Sequence, residues 1–254
     1  MLESKVLETE CLNGLRSLSR EYEGSCSLIY IDPPFMTQKT QKIHGKSYED
    51  KFDNIESYSN FLKERIGESL KYLKTDGSIF IHLDYHAVHY IKCMMDKMLG
   101  QKHFINEIIW SYDYGGRAKN HWSRKHDNIL WYVLDPKKYT FNYDCIDRIP
   151  YMAPKLVGPE KAERGKTPTT VWWNTIVPTN SKERVNYPTQ KPLKILERII
   201  KVHTNPGDFV LDFFAGSGTS VVAAAKLGRN YIAMDENPDA IKIINQRLAG
   251  LLLK

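Results

Sequence analysis

The amino-acid sequence predicts an α/β fold in which a mostly parallel sheet carries helices on both faces. Short apolar, β-branched runs alternate with helical patterns along the chain, and no internal repeat or low-complexity tract breaks this alternation. The 254 residues are 42% hydrophobic and 26% charged, which is the composition of a globular protein. A chain of this length can bury a large core as one unit, so we predict a single domain over residues 1–254.

Seven segments are predicted as strands, because each is short, apolar and rich in β-branched or aromatic residues. The last two are separated by a turn and a helical pattern, which is the arrangement of a parallel βαβ unit. If the last strand pairs with the first, the sheet is a permuted one whose termini lie close together. The predicted strands are 6–10, 27–32, 78–84, 104–112, 128–134, 209–214 and 230–235.

Five segments are predicted as helices with one buried face. The last has a start signal, with Asn237 as the N-cap and Pro238 in the first turn. Residues 36–56 are predicted as a polar loop, and segment 135–190 is rich in Pro, Gly and charge and is too long for a plain connection. The predicted helices are 58–73, 85–99, 192–202, 218–227 and 238–251.

Several classes of protein and site are not expected. No apolar stretch approaches the length of a membrane span, and the first residues lack a signal pattern, so we predict a cytoplasmic protein. The four cysteines are too far apart for a zinc knuckle or a disulfide framework. His82, His86 and His89 have metal-like spacing, but no cysteine or carboxylate set completes a tetrahedral shell, so no metal site is predicted.

Positive charge is concentrated in the middle of the chain. Residues 111–204 hold 17 basic and 9 acidic side chains, a net charge of +8, while the rest of the chain holds 19 and 21, a net charge of −2. Tyrosines and tryptophans are interleaved with these basic residues. Cations for phosphates and flat rings for bases suit a nucleic-acid surface, but a solvated surface over an aromatic core has the same composition.

A first motif, Asp32-Pro33-Pro34-Phe35, follows a predicted strand directly, at the strand end where ligands gather in open α/β sheets. The two prolines fix their φ angles, so the segment is a stiff arm that presents a carboxylate, a backbone carbonyl and an aromatic ring. Such a set suits a flat molecule with an exocyclic amine, which needs two acceptors and a ring on which to stack. For this motif alone, an ordinary proline-bounded turn is the alternative.

A second motif, residues 210–219, combines a strand, a glycine turn and a helix start. Gly216 and Gly218 would let the backbone approach a bound cofactor. A dinucleotide site requires a third small residue where Val221 stands, and a phosphate-binding loop requires a lysine that is absent, so both are disfavoured. Asp235 ends the next strand 19 residues after Gly216, which suits a carboxylate that holds ribose hydroxyls.

Together with Tyr187-Pro188-Thr189-Gln190-Lys191-Pro192, these motifs resemble those of the S-adenosylmethionine-dependent DNA amino-methyltransferases. Their order is similar to that of the β group, which includes stand-alone bacterial enzymes and the modification subunits of restriction systems. The likeness covers nearly the whole chain and is least clear over 136–170. It implies a Rossmann-like, seven-stranded sheet with a permuted motif order, S-adenosylmethionine as cofactor and double-stranded DNA as substrate.

The resemblance also implies roles for individual residues. Asp32 and the Pro33 carbonyl accept the N–H bonds of the target amine, Pro34 completes the arm, and Phe35 stacks on a base extruded from the duplex. Lys191 binds the carboxylate of the cofactor's methionine or caps a nearby helix start. The other residues expected at the cofactor are Glu10, Cys11, Asp212, Phe214, Ala215, Gly216, Ser217, Gly218, Thr219, Asp235, Glu236 and Asn237.

For DNA, the resemblance favours contact by a basic loop and a target-recognition excursion over 113–185. The basic loop carries Arg117, Lys119, Arg124 and Lys125. A homodimer and a cognate restriction endonuclease are the further expected partners, and no membrane is involved.

We therefore predict a site-specific DNA adenine-N6 methyltransferase. Adenine is preferred because the tetrapeptide begins with Asp32, whereas the cytosine-N4 enzymes of the family more often begin with Ser. The alternatives are a cytosine-N4 methyltransferase, an inactive DNA-binding or partner subunit with the same fold, and a nucleotide-dependent oxidoreductase, which the absent third glycine disfavours.

Overall fold

The computed structural model describes residues 2–35, 39–43, 46–50, 52–187 and 189–252. Of 39–43 and 46–50, the backbone alone is described, and Pro188 of the Tyr-Pro-Thr-Gln-Lys-Pro motif lies outside the described residues. The strands in this part of the chain are β1 Lys5–Glu8, β2 Cys26–Ile31, β3 Lys39–Ile43, β4 Lys46–Asp50, β5 Leu73–Leu83, β6 Phe104–Ser111, β7 His126–Val133, β8 Val171–Trp173, β9 Phe209–Asp212 and β10 Asn230–Asp235.

The helices over the same ranges flank a central sheet. They are α1 Cys11–Ser17, α2 Ile55–Ser69, α3 Val88–Leu99, α4 Pro159–Arg164, α5 Leu193–His203, α6 Thr219–Lys226 and α7 Pro238–Leu252. None of these helices is both long and apolar enough to span a lipid bilayer. All five predicted helices are present, with ends shifted by a few residues, as is usual when helix boundaries are inferred from sequence.

The central sheet is mostly parallel, and its strand order is β1-β10-β9-β2-β5-β7-β6-β8. Among the described strands of this sheet, only β7 runs antiparallel to both of its neighbours, β5 and β6. The condition for a permuted sheet is met, because β1 and β10 pair in parallel with Leu7 opposite Met234. The chain is therefore a permuted form of the predicted α/β sheet.

The predicted number of seven strands is wrong, because the described sheet has eight. The eighth, β8, lies within the long segment 135–190 and pairs in parallel with β6, with Val171 opposite Ile109. A strand of three residues is too short to show a period of two, so the sequence gives no signal for it. Its pairing depends on the edge that β6 offers.

Other differences concern short elements. Helix α1 directly follows β1 and begins where the side chain of Glu10 accepts the N–H of Asn13. The predicted polar loop contains a hairpin, β3–β4, in which Lys39 is opposite Asp50. His86, which we placed on the helix with His89, precedes α3 in a turn. These elements are shorter than the window over which periodicity can be recognised.

The core has two halves, one on each face of the sheet. Ile29 of β2 packs in the half that contains Leu62 of α2. Leu28 and Tyr30, which alternate with it, pack in the half that contains Leu196 of α5. Because β2 is buried on both faces, its sequence is a continuous apolar run, and its carboxyl end can place the next residues inside the protein rather than on its surface.

Candidate active site

A cleft with a volume of about 680 Å³ opens at the carboxyl ends of β2, β9 and β10. Because β2 and β9 are parallel neighbours, with Ile29 opposite Leu211, the segments that follow them emerge at the same edge of the sheet. All four residues of the Asp32–Phe35 arm line the cleft. So does every residue expected at the cofactor except Gly218.

Asp32 is held by an ion pair at the wall of the cleft. The Lys191 ammonium donates to its Oδ2 atom at 2.7 Å. The side chain of Asp32 is 19% exposed and that of Lys191 is 8% exposed. The other carboxylate oxygen, Oδ1, is buried and has no hydrogen-bond partner among the described residues. The sequence placed Lys191 at the cofactor's carboxylate or at a helix start, and the structure places it against the arm as well as in the cleft lining.

The arm is also fixed through its backbone. The hydroxyl of Tyr58, a fully buried residue of α2, donates to the carbonyl of Pro34 at 2.7 Å. This bond commits the Pro34 carbonyl to the fold, so the predicted acceptor of the target amine remains the carbonyl of Pro33. A rigid acceptor pair lowers the reorganisation that a reaction requires.

A buried polar chain lies behind the arm. Tyr30 and His82 share a hydrogen bond of 2.8 Å, and the other ring nitrogen of His82 is 3.1 Å from Asp127. Asp127 also accepts from the hydroxyl of Tyr112 at 3.0 Å. The His82 ring is stacked beside Phe35 with a centroid separation of 6.0 Å. The imidazole thus supports one side of the ring that we expect to stack on a base.

Asp212 ends β9 at the floor of the cleft and is buried. Burial raises its pKa to about 7, against the opposing effect of hydrogen bonds from the Ser220 hydroxyl and the Phe214 N–H group. The negative charges of Asp32 and Asp235 raise the pKa further. Near neutral pH this carboxyl group is therefore partly protonated, and a positive ligand would favour its charged form.

Asp235 and Gly216 are joined directly. The Gly216 N–H donates to one carboxylate oxygen of Asp235 at 2.8 Å, and the Asn237 N–H donates to the other at 2.9 Å. Burial nevertheless raises the pKa of Asp235. Gly216 has a φ of 51°, in the left-handed region, and a Cβ there would lie 3.3 Å from the Tyr187 ring. The carboxylate thus holds the turn as well as lining the cleft.

Gly218 packs against a helix and does not line the cleft, so its expected approach to the cofactor stays a prediction. It has a φ of 72°, and a Cβ would lie 2.5 Å from Cγ1 of Ile244 on α7. The same helix supplies Arg247, whose guanidinium donates to the Ser217 carbonyl at 2.6 Å. Helix α7 therefore fixes the back of the glycine turn.

The far end of the cleft combines charge with a flat apolar surface. Burial raises the pKa of Glu10, but hydrogen bonds from Cys11, two backbone N–H groups and Arg65 outweigh it and lower the pKa to about 2. The Arg65 guanidinium, 2.7 Å from the Glu10 carboxylate, also lies 3.6 Å from the centroid of the Phe61 ring. Phe61 in turn lies beside Phe214, at 6.1 Å between centroids.

The sequence of the chain matches the family model described as DNA methylase over residues 26–246. The chain belongs to this family. It is 35% identical over 240 residues to the type II methyltransferase M.HpaI of Haemophilus parainfluenzae, an alignment that covers 94% of this chain and 73% of that protein. It is 32% identical over 253 residues to the DNA adenine methyltransferase YhdJ of Escherichia coli strain K12, over 96% of this chain and 82% of that protein.

Solved structures share the fold of this DNA methylase at lower sequence identity. The cytosine-N4-specific PvuII DNA methyltransferase gives a TM-score of 0.71 at 18% identity, over 97% of this chain and 86% of that one. The M1.HpyAVI–SAM complex gives a TM-score of 0.68 at 21% identity, over 96% and 98%. These comparisons confirm the predicted Rossmann-like fold and the predicted enzyme class, a DNA methyltransferase. They also confirm S-adenosylmethionine as the cofactor.

The predicted DNA-binding residues of the methylase are not part of the cleft lining. The basic loop joins β6 to β7, and none of Arg117, Lys119, Arg124 and Lys125 lines the cleft. Instead, Arg124 lies over the ring of Tyr85, which follows β5. Sequence reasoning did not identify Tyr58, Phe61 or Arg65, because all three lie on α2, whose pattern shows only a buried face. Tyr30 could have been found, since it lies on β2 two residues before Asp32, and residues two apart in an extended chain point to the same side.

Proposed function

We propose that this DNA methylase transfers a methyl group from S-adenosylmethionine to the N6 amine of an adenine extruded from double-stranded DNA. The observation that carries the proposal is the environment of Asp32. Lys191 holds one carboxylate oxygen, while the other is buried at the cleft and lacks a donor within the described residues. A buried acceptor without a partner is costly, so this oxygen suits a donor that the substrate brings.

The lining of the cleft fits the cofactor. Asp212 and Asp235 offer negative charge to a cationic ligand, and Gly216, whose N–H donates to Asp235, also lines the cleft. Phe61 and Phe214 offer flat apolar surface for a purine. When bound, S-adenosylmethionine supplies a sulfonium methyl group, whose C–S electron pair stays on sulfur after the transfer.

The arm compensates for the poor nucleophilicity of adenine, whose amine lone pair is delocalised into the ring. Asp32 Oδ1 and the Pro33 carbonyl accept the two N–H bonds, which draws the nitrogen toward tetrahedral geometry and directs its lone pair out of the ring plane. Phe35, supported by His82, holds the plane of the base. Asp32 is then placed to receive the proton that the methylated nitrogen loses.

Adenine is favoured over cytosine by Asp32 at the head of the tetrapeptide and by the 32% identity to a protein named as a DNA adenine methyltransferase. Cytosine-N4 methylation is the second candidate, because the same fold occurs in a cytosine-N4-specific enzyme. The likeness to type II methyltransferases supports a cognate restriction endonuclease as partner. We also keep, as proposals, a homodimer, which light scattering would test, and action in the cytoplasm.

The experiment is to incubate the protein with unmethylated DNA and isotope-labelled S-adenosylmethionine, and to identify the labelled nucleoside by mass spectrometry. We expect N6-methyladenine, and single-molecule sequencing of the product then gives the recognition sequence. Labelled N4-methylcytosine would replace the proposal by the second candidate, and an unlabelled product would refute both. The Asp32→Ala variant is the control for contaminating activity, and we expect its rate to be about 10²–10³-fold lower with cofactor binding retained.

A further inference from the structure

Trp122 is almost completely exposed, and the mechanism above does not use it. Its side chain is 95% accessible to solvent on the loop 112–125 that joins β6 to β7. Large aromatic side chains are normally mostly buried, and those left outside often mark a place where another molecule binds. The flanking sequence is basic, with Asp113 as its one acidic residue.

The loop has internal bonds that hold the indole outward. The Ala118 N–H donates to the Ser123 hydroxyl at 2.8 Å, and Arg117 forms an ion pair of 2.7 Å with Asp113. The Lys125 ammonium donates to the carbonyl of Tyr114. These bonds close the loop upon itself on both sides of Trp122, so the exposure of its ring is a property of a folded segment.

The loop is attached at the same edge of the sheet as the catalytic arm. Strand β5 pairs with β2, with Ile81 opposite Ile31, and with β7, with Leu83 opposite Asn128. The start of β7 and the end of β2 therefore flank the end of β5. Since neighbouring strands are about 4.8 Å apart, the root of the loop is about 10 Å from the arm.

A second contact anchors the loop near the arm. The guanidinium of Arg124 lies 4.2 Å from the centroid of the Tyr85 ring and donates to its hydroxyl at 3.3 Å. Tyr85 follows β5 by two residues, so this contact fixes the loop two residues from Trp122. The ring of Trp122 thus projects from an anchored, positively charged segment.

Extrusion of a base leaves a gap in the duplex and costs stacking energy. Proteins that distort DNA insert apolar side chains between base steps to compensate for lost stacking. Resting on the proposed function, we propose that the indole of Trp122 enters the duplex and fills the space vacated by the target base. The cations of Arg117, Lys119 and Arg124 would then contact the phosphates on either side of that step.

The test uses two duplexes with the recognition sequence that the experiment above identifies. In one the target adenine is paired, and in the other an abasic site lies opposite the target adenine. For Trp122→Ala we expect a single-turnover rate at least tenfold lower on the paired duplex. We expect its single-turnover rate to fall threefold or less on the abasic duplex, because extrusion of an unpaired adenine breaks no base pair and less stacking. Trp122→Phe should keep part of the rate. Tyr90→Ala, which removes an exposed ring from α3, is the matched control and should change neither rate.

A second readout is the fluorescence of 2-aminopurine at the target position, which rises when the base leaves the stack; the rise should be smaller for Trp122→Ala than for wild type. An equal loss on both duplexes, or no loss, would overturn the role of Trp122 while the methyl transfer itself stands. Wild-type protein that methylates neither duplex would overturn the proposed function and this inference with it. Cofactor affinity, unchanged in Trp122→Ala, reports that the variant is folded.

Discussion

Lys191 and Asp32 are 159 residues apart in the chain, yet the ammonium of one lies 2.7 Å from the carboxylate of the other. This ion pair joins the Tyr-Pro-Thr-Gln-Lys-Pro motif to the catalytic arm. It leaves the Oδ1 atom of Asp32 for the substrate, since Oδ2 is already taken. Lys191 is therefore expected to position the arm in addition to lining the cofactor cleft.

The Lys191→Met variant should lose rate at saturating cofactor. Without the ammonium, the Asp32 carboxylate can rotate away from the target amine, and misplacement of such a group costs about tenfold or more. Single-turnover kinetics and a cofactor titration separate this effect from weaker binding. A raised dissociation constant for S-adenosylmethionine with an unchanged saturated rate would instead support the carboxylate-binding role alone.

The control for this variant is Lys226→Met, which breaks the exposed pair between Lys226 and Glu197. Exposed pairs contribute little, so neither rate nor affinity should change.

The Tyr58→Phe variant should lower both stability and activity. It removes the hydroxyl that holds the Pro34 carbonyl, a loss of about 1 kcal/mol in the free energy of unfolding. Tyr72→Phe is the matched control, because the Tyr72 hydroxyl also donates from a buried site to a carbonyl, that of Leu15, away from the cleft. We expect both variants to lose similar stability in urea titrations and only Tyr58→Phe to lose methylation rate. Equal rates in the two variants would contradict the anchoring role.

The affinity for the cofactor should increase with pH through the titration of Asp212. Burial raises its pKa from 3.8 to about 7. The folded protein therefore holds this proton more tightly than the unfolded chain, and the stability that results is present below pH 3.8 and lost as the pH rises through 7.

A cationic ligand favours the ionised carboxylate, so the dissociation constant of S-adenosylmethionine should fall roughly tenfold between pH 6 and pH 8. Calorimetric titrations at several pH values measure it. In Asp212→Asn this part of the pH dependence should vanish; a variant that keeps the wild-type slope would assign the dependence to another group.

The Gly218→Ala variant should be strongly destabilised by contact with α7. The new methyl group would lie 2.5 Å from Ile244, at a φ of 72°. Gly228→Ala is the control, since Gly228 has the same φ of 72° and no atom within 4 Å of its added Cβ. The control isolates the backbone cost of about 1 kcal/mol, and the clash should add about 1–3 kcal/mol in denaturant titrations. Similar losses in both variants would show that α7 gives way.

Local patterns in the sequence determined much of this protein. Apolar runs and helical stripes predicted seven of the described strands and five helices, and residues 32–35 and 210–219 predicted two edges of one cleft. These signals depend on neighbours within a few positions, where period and backbone preference act. The motif order raised a permuted sheet only on the condition that the first and last strands pair, and the pairing of β1 with β10 meets that condition.

Only the tertiary structure decided the contacts between distant segments. The strand Val171–Trp173 forms because β6 offers an edge, and Gly218 is required because Ile244 packs against it. Lys191 reaches Asp32 because its carbonyl accepts from the hydroxyl of Thr219, which begins α6 after β9, the neighbour of β2. No local pattern encodes these relationships, since each depends on the position of a side chain far away in the chain. Burial, ion pairing and steric fit are properties of the assembled core, and they set the geometry of the site.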